Sequence, residues 1–210
     1  MTGKIEVEQR GPLTRNEFVK IKSFLDKNAK FILKKERLSF MYFRDKIPKD
    51  VEEIKDDPID LRIRVTNKDP EIIIKYGLFG RCDNRKEISL PIPLDKVEEA
   101  VELLKAMGWV ETVAYATKTY TYQYRGIEFA LVEIKNFGYT YEAEILVEEG
   151  KNIEGIRDKI KSVCKELSLR DYKKGEFENQ CNKINNTKSL QFNFSKIDFK
   201  KTKKIFEDFF

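Results

Sequence analysis

The sequence predicts an α+β fold in which an antiparallel sheet closes into a barrel and helices pack on the outside. Three observations favour this fold. Several segments alternate apolar with polar or charged residues at the period of two that is typical of β-strands. Other segments repeat apolar residues at helical spacing and so supply helices to cover the apolar face of the sheet. Several strands also carry two charged side chains at positions i and i+2, which places both on one face.

Length and composition indicate one globular domain. The chain has 210 residues, a length that is enough for one good-sized core and short for two independent domains. Its composition, 40% hydrophobic and 37% charged residues, is typical of a globular protein. We therefore expect a single domain over residues 1–210. The N-terminus carries charge at Lys4, Glu6 and Glu8, and no apolar run reaches the length of a bilayer. A cytoplasmic protein without membrane contact is the resulting expectation.

Several chemistries are disfavoured by residue usage. The cysteines Cys82, Cys164 and Cys181 are odd in number and widely spaced, which argues against a disulfide framework or a thiolate metal site. The chain has no histidine, so any catalysis must proceed without the most common general acid–base side chain. The net charge of +5 permits a polyanionic ligand. The short Lys200 to Lys204 stretch is better explained as a solvated face than as an RNA contact.

The first half of the chain predicts strands around one helix. Residues 4–10 alternate and end at Gly11-Pro12, after which Thr14 and Glu17 form a capping box that begins a helix. Asp69-Pro70 is predicted to turn the chain. The remaining predicted strands of this half cover residues 38–44, 61–65, 72–76 and 85–90, the last two pairing across a loop with Gly77 and Gly80.

The second half predicts a helix after Pro93 that ends before Gly108, followed by three strands and another helix. The strands cover residues 113–124, 128–134 and 139–148, and the helix carries its apolar positions between 156 and 167. In the tail, alternation around Phe192 and an amphipathic stretch near Phe206 predict packing on the barrel or on a partner subunit. A homodimer is left open.

Charged pairs on strand faces carry the chemical prediction. Alone, each pair is better explained as a solvent-facing strand surface. If the sheet closes, however, facing carboxylates need a cation between them and facing arginines need an anion. A triphosphate bound with Mg²⁺ or Mn²⁺ satisfies both demands. The charged positions are Glu6, Glu8, Arg10, Arg62, Arg64, Lys75, Arg85, Glu87, Lys118, Glu142 and Glu144.

These residues resemble the motifs of the CYTH family, which is named for bacterial class IV adenylyl cyclase and mammalian thiamine triphosphatase. Glu6-Val7-Glu8-Gln9-Arg10 is similar to the Glu-x-Glu-x-Lys strand that opens the family. The resemblance covers about residues 4–170. The further motifs follow in family order: Arg62-x-Arg64, Lys75 before Gly77, Arg85-x-Glu87, Gly108-Trp109 after a helix, Lys118, and Gly138 before Glu142-x-Glu144.

The resemblance implies an eight-stranded tunnel barrel whose interior binds metal and substrate. It assigns divalent metal, Mg²⁺ or Mn²⁺, to Glu6, Glu8, Glu142 and Glu144, with help from Glu87. It assigns the triphosphate to Arg10, Arg62, Arg64, Lys75, Arg85 and Lys118. Catalysis would be mostly electrostatic, with Arg10, Glu87 and Lys118 as the catalytic candidates. Residues 171–210 would form an extension packed on the barrel.

Four positions depart from the family pattern. Arg10 replaces a lysine and keeps the charge, but it does not lose a proton readily. Ser89 stands where a second glutamate is usual, Tyr120 where an arginine is common, and Val132 where an aspartate normally lies. These changes affect the second metal position or the residue that orients the attacking water.

Three functions remain open at this point. The first is metal-dependent hydrolysis of an inorganic, nucleoside or thiamine triphosphate. The second is cyclisation of ATP to cyclic AMP and pyrophosphate, which needs the ribose 3′-hydroxyl as nucleophile and an adenosine pocket. The third is a non-catalytic module that binds polyphosphate, nucleotides or a triphosphorylated RNA end.

Overall fold

The computed structural model describes residues 4–49, 59–76, 86–148 and 153–210, and the side chains in them except those of 4–6, 76 and 86. Within these ranges the chain forms nine strands and five α-helices. Their order is Lys4–Leu13 (β1), Arg15–Asn28 (α1), Lys30–Phe43 (β2), Ile59–Thr66 (β3), Asp69–Tyr76 (β4), Lys86–Pro91 (β5), Val97–Ala106 (α2), Glu111–Tyr124 (β6), Ile127–Ile134 (β7), Gly138–Glu148 (β8), Ile153–Glu166 (α3), Glu176–Asn185 (α4), Gln191–Asn193 (β9) and Phe199–Ile205 (α5).

The strands belong to one antiparallel sheet, which confirms the predicted α+β class. The hydrogen-bonded order is β1-β8-β7-β6-β2-β3-β4-β5, with β9 paired to β6. This order has β1 at one end and β5 at the other. Closure of the sheet into a barrel therefore stays a prediction.

The chain divides into two compact units, which are Met1–Lys35 with Thr117–Phe177 and Glu36–Ala116 with Glu178–Phe210. In the first unit, helices α1 and α3 cover one face of β1, β8, β7 and the second half of β6. Leu25 from α1 and Ile160 from α3 are buried against Phe129 and Tyr141 of the strands. Burying each side chain of this size contributes about 1.5–3 kcal/mol. Because strand residues alternate between faces, this core leaves the neighbouring positions on the other face.

In the second unit, α2 and the C-terminal segment cover one face of β2 and β3. Phe40 of β2 and Ile63 of β3 are fully buried. The C-terminal segment contributes four buried aromatic residues to this core, Phe192, Phe194, Phe199 and Phe206. These four aromatic residues pack in the same core as strands β2 and β3.

Local signals placed several element ends correctly. Thr14 caps α1 in a capping box with Glu17, and Gly108 follows α2 with a φ of +86° that favours glycine. The turn between β3 and β4 was predicted wrongly, because it consists of Asn67 and Lys68 and not of Asp69-Pro70. Both turn residues have positive φ, as a two-residue hairpin turn requires, and Asn67 Oδ1 accepts from the backbone N–H of Glu36 at 2.8 Å.

Two elements differ from the sequence prediction in extent. Strand β2 begins at Lys30, well before the predicted residue 38, and α4 was not predicted at all. The predicted loop before Pro58 lies largely outside the described residues, as do Gly77, Gly80 and Cys82. No helix in the described ranges is both long enough and apolar enough to cross a lipid bilayer.

Candidate functional site

The polar face of the first unit carries a row of glutamates. Val7, Phe129 and Ala143 point into the helix-covered core, so their strand neighbours lie on the other face. In the register of β1, β8 and β7, Glu8 is opposite Glu144, and Glu144 is opposite Glu128. We call Glu8, Glu128, Glu142 and Glu144, together with Arg10, the carboxylate face.

Repulsion within this row is offset in part by Arg10. Like charges directly opposite on neighbouring strands destabilise a sheet, because their Cβ atoms lie about 4.5–5.5 Å apart. Arg10 is opposite Glu142, and its Nη2 donates a hydrogen bond to Glu8 Oε1. The ring of Phe177 lies 5.4 Å from the Arg10 guanidinium carbon, which adds a cation–π contact. Glu142 and Glu144 also have interaction partners. The face nevertheless holds more carboxylates than cations among the described side chains.

The carboxylate face suits a hard divalent cation by its donor type. Mg²⁺ and Mn²⁺ prefer carboxylate oxygens, and Mg²⁺ is commonly bound by one or two carboxylates plus phosphate oxygens of a substrate. Among the described side chains, however, no group of three or more acidic, cysteine or histidine residues stands in an arrangement that could hold a metal ion. The residues therefore fit a metal that arrives with a phosphate ligand better than a metal held by protein alone.

Among the side chains that the structure describes, the polar face of the second unit carries four cations. Leu61 and Ile63 point into the core of this unit, and Arg62 and Arg64 point the opposite way. We call the cation face the following set: Arg37, Arg62, Arg64 and Lys75, with the acids Asp60, Glu71 and Glu87. By strand register, Thr66 is opposite Arg37, Glu71 is opposite Arg64, and Glu87 is opposite Lys75.

Two cations of this face have close carboxylate partners. Arg62 donates to Asp60 from Nε at 2.7 Å and from Nη2 at 2.6 Å, and from Nη1 to the Tyr115 hydroxyl at 3.2 Å. Burial opposes the charged form, but Tyr115 and Asp60 outweigh it and raise the pKa of Arg62. Lys75 Nζ lies 2.6 Å from Glu87 Oε2. Burial works against ionisation of Glu87, yet the hydrogen bond from Lys75 lowers the pKa of this carboxyl.

The structure brings most of the predicted site residues onto these two faces. Glu8, Arg10, Glu142 and Glu144 share the carboxylate face, while Arg62, Arg64, Lys75 and Glu87 share the cation face. The side chain of Glu6 and the whole of Arg85 lie outside the described residues.

Lys118 is placed differently from its prediction. Its partner in the register is Glu133, and alternation along β6 puts it on the same side as Tyr120 and the buried Tyr122. That is the helix-covered side of the sheet, opposite the carboxylate face. A phosphate-binding or catalytic role for Lys118 would require a side chain on the other face, because strand side chains alternate strictly in an unbroken ladder.

The structure also shows on which face of the sheet Ser89, Tyr120 and Val132 lie, the three positions where a residue of the family pattern is lost. Ser89 lies on the cation face, where its hydroxyl donates to Glu71 Oε2. Tyr120 lies on the helix side, with its ring 4.7 Å from Lys22 Nζ and its centroid 6.2 Å from that of Phe18. Val132 is opposite Thr140 and so belongs to the carboxylate face as an apolar residue.

Sequence reasoning missed four charged residues of the two faces, Arg37, Asp60, Glu71 and Glu128. A consistent use of strand parity would have found Asp60, which precedes Arg62 by two positions in the same strand. Glu128 stands at the edge of a predicted strand, and its place in the glutamate row depends on the pairing of β7 with β8.

Comparison with known proteins gives a likeness of fold. No protein-family model and no curated protein matches the chain. The PH1819 protein of Pyrococcus horikoshii OT3 is 24% identical with a TM-score of 0.60, and the match covers 85% of this chain and 99% of that one.

Two solved structures with adenylyl cyclase descriptions also match. HpAC1 from Hippeastrum, an adenylyl cyclase candidate described as having a dominant triphosphatase activity, is 15% identical with a TM-score of 0.58, covering 81% of this chain and 91% of its own. An adenylate cyclase candidate from Vibrio parahaemolyticus is 15% identical with a TM-score of 0.55, covering 82% and 97%. The chain therefore shares its fold with adenylyl cyclase candidates, in agreement with the CYTH resemblance of its sequence.

Proposed function

We propose that the protein is a metal-dependent enzyme that hydrolyses a triphosphate compound. The observation that carries this proposal is that one chain has a face rich in carboxylates, which need a cation, and a face rich in guanidinium and ammonium groups, which need an anion. Among the described side chains, the carboxylate face holds four carboxylates and one guanidinium, and the cation face includes Arg64, whose buried Nε–H has no hydrogen-bond acceptor. A divalent cation answers the first demand and a polyphosphate answers the second, and a metal-dependent triphosphatase needs both.

The proposed roles follow the chemistry of each face. One or two of Glu8, Glu142 and Glu144, together with phosphate oxygens of the substrate, would hold Mg²⁺ or Mn²⁺, which would supply a positive charge at the phosphoryl oxygens. Arg64 and Lys75 would bind phosphate oxygens, and Arg62 would keep its place through Asp60. Closure of the sheet into the tunnel implied by the resemblance, and the parts played by Glu6 and Arg85, belong to this proposal.

A second candidate is cyclisation of ATP, supported by the adenylyl cyclase descriptions of two structures with this fold. It requires the same charged faces, but the nucleophile is the ribose 3′-hydroxyl in place of water. Hydrolysis is preferred because it needs no adenosine pocket, and because HpAC1 is described as mainly a triphosphatase.

A third candidate is a module that binds a triphosphate without turnover. The lost family positions favour it: Val132 brings no carboxylate, and Lys118 lies on the helix side of the sheet. Binding without turnover needs only the cations. This candidate therefore holds even if the carboxylates bind no metal.

A substrate panel separates the three candidates. The purified protein is incubated with tripolyphosphate, ATP or thiamine triphosphate, with Mg²⁺, Mn²⁺ or EDTA. Phosphate release that stops in EDTA is the expected result. Cyclic AMP with pyrophosphate would establish the cyclase instead, and saturable binding without product would establish the module. Absence of both binding and turnover on every substrate would overturn the proposal.

A further inference from the structure

The Nε–H group of Arg64 is buried and has no hydrogen-bond acceptor among the described residues. Arg64 is 8% exposed, and its Nε has no hydrogen-bond partner. Its nearest carboxylate contact joins Nη1 to Glu71 Oε1 at 3.7 Å, which is too long for a hydrogen bond. A buried charged donor left in this state costs free energy, since it has lost water and gained no acceptor. The arrangement therefore leaves Arg64 available to an acceptor other than the described side chains.

The acids near Arg64 have other partners. Glu71 accepts a hydrogen bond from Ser89 through its other carboxylate oxygen, Oε2. Asp60 uses both of its oxygens on Arg62. Glu87 is engaged by Lys75. Asp60 and Glu87 are thus engaged by other cations. Among the described residues, Arg64 has only the long contact to Glu71.

A second arginine on the same face approaches Arg64. Arg37 of β2 is opposite Thr66, and Ser39 is opposite Arg64, so Arg37 and Arg64 are diagonal neighbours within reach of long side chains. Arg37 Nε donates to Thr66 Oγ1 at 3.1 Å, which fixes the base of its guanidinium. Burial, followed by the positive charge of Arg64, lowers the pKa of Arg37. Two guanidinium groups placed in this way repel each other unless an anion lies between them.

We propose that Arg37 is a phosphate-binding residue, and that Arg37 and Arg64 form a two-guanidinium anion site on the cation face. The inference rests on the proposed function for the class of ligand, a phosphate group of the substrate. Arg62 then acts as a positioning residue, because three of its N–H groups are used by Asp60 and Tyr115. Planar guanidinium forks match phosphate oxygens bidentately, whereas lysine acts as a point charge.

The test measures tripolyphosphate binding by isothermal titration calorimetry in EDTA, because the two-guanidinium site needs no metal. Arg37→Gln and Arg64→Gln should each weaken binding roughly tenfold or more, as the loss of charge-assisted hydrogen bonds predicts. Arg37→Lys should recover part of the affinity, since it keeps the charge and loses the fork. The control is Lys68→Asn in the turn between β3 and β4, where Lys68 is exposed and has a φ of +73° that asparagine tolerates.

Three results would overturn the inference. The first is an affinity of Arg37→Gln equal to that of the wild type. The second is a loss of affinity in Lys68→Asn as large as that in Arg37→Gln, which would show general charge attraction only. The third is no binding of tripolyphosphate by the wild-type protein in EDTA. Thermal unfolding of each variant establishes that the fold is intact, and Arg37→Lys serves if Arg37→Gln does not fold.

Failure of the proposed function has a different signature. If the protein binds tripolyphosphate through Arg37 and releases no phosphate with any metal, the anion site stands and the hydrolase proposal falls. If phosphate is released and Arg37→Gln retains wild-type affinity, the hydrolase proposal stands and the role of Arg37 falls.

Discussion

Arg62 and Asp60, two residues apart on β3, form a bidentate ion pair with donor–acceptor distances of 2.7 and 2.6 Å. Their side chains are 16% and 7% exposed. Because the two positions share a strand face, the pair forms within one strand and does not depend on the pairing of β3 with its neighbours. The carboxylate thus neutralises one arginine of the Arg-x-Arg motif before any ligand binds.

Replacing Asp60 by Asn should lower the free energy of unfolding by about 3 kcal/mol, because it leaves the Arg62 guanidinium buried without its counter-charge. Urea unfolding at neutral pH measures the change. Glu102→Gln, which removes the partner of Lys105 on the exposed side of α2, is the control and should cause no measurable change. Equal stability of Asp60→Asn and the wild type would mean that water replaces the pair.

Replacing Glu144 by Gln should reduce metal-dependent activity by roughly a hundredfold while leaving thermal unfolding in EDTA unchanged or slightly improved. Glu144 is the middle carboxylate of the row, so the change removes a metal ligand and also relieves repulsion with Glu8 and Glu128. Glu8→Gln should lose activity in the same way. The measurement is phosphate release at saturating Mn²⁺, with thermal unfolding recorded in parallel.

The matched control for the glutamate row is Glu148→Gln. Glu148 lies on the same strand and parity as Glu144, at the exposed end of β8. It should retain full activity. Survival of activity in Glu144→Gln would remove the metal assignment.

Replacing Gly11 by Ala should destabilise the first unit by about 2 kcal/mol through overpacking. A Cβ atom at this position would lie 1.8 Å from the carbonyl oxygen of Arg170 and 2.8 Å from Tyr141 Cε1. Backbone must move, because the first of these atoms is not a flexible side-chain end. Gly175→Asn, at a position with no atom within 4 Å of an added Cβ and with a φ of +77° that asparagine tolerates better than other side chains, should have little effect on urea unfolding. If Gly11→Ala unfolds like the wild type, the close approach of the two segments is wrong.

Replacing Thr14 by Ala should lower the free energy of unfolding by about 1 kcal/mol, the usual effect of losing an N-cap. Thr14 Oγ1 accepts from the Glu17 backbone N–H at 3.3 Å, and the Glu17 carboxylate accepts from the Thr14 backbone N–H at 2.7 Å. Ser23→Ala, at an exposed interior position of the same helix, is the control and should not destabilise. A larger loss in Ser23→Ala than in Thr14→Ala would contradict the assignment of the cap.

The effect of Thr14→Ala should also shrink in acid. The backbone hydrogen bond of Thr14 lowers the pKa of Glu17 from its ordinary value of 4.5 and persists in Thr14→Ala, whereas the side-chain hydrogen bond lowers this pKa further and is lost. A lowered folded-state pKa contributes stability above the unfolded pKa, and this contribution is lost as pH falls through the folded pKa. The wild type and Thr14→Ala should therefore differ more at pH 7 than below pH 4. A difference that grows toward low pH would show that the Glu17 carboxylate is not part of the cap.

The sequence predicted elements whose signals are local. The capping box at Thr14 and Glu17, the helix that ends before Gly108, and the three strands between residues 113 and 148 agree with the structure. Predictions of elements whose ends depend on contacts with distant residues were less reliable. The early part of β2 was missed because its support is tertiary, as in the packing of Phe31 on Tyr122 with ring centroids 5.5 Å apart.

The charged residues show the same division. Same-strand pairs such as Arg62 with Arg64 and Glu142 with Glu144 were found from parity alone. Lys118 was assigned to the charged face from motif order, and the register of β6 with β7 places it on the helix side. Glu128 and Arg37 were missed because their importance comes from the neighbouring strand, whereas Asp60 was missed although strand parity places it beside Arg62.

By itself, the sequence determined the α+β class, most of the strands and helices, and a set of same-face charged pairs, because each of these depends on the alternation and spacing of nearby residues. Only the tertiary structure decided which charges oppose each other across strands, which cations already have carboxylate partners, and which side of the sheet Lys118 occupies. These properties depend on strand register, which is set by contacts between residues far apart in the chain, and a shift of one residue would reverse the face of every side chain.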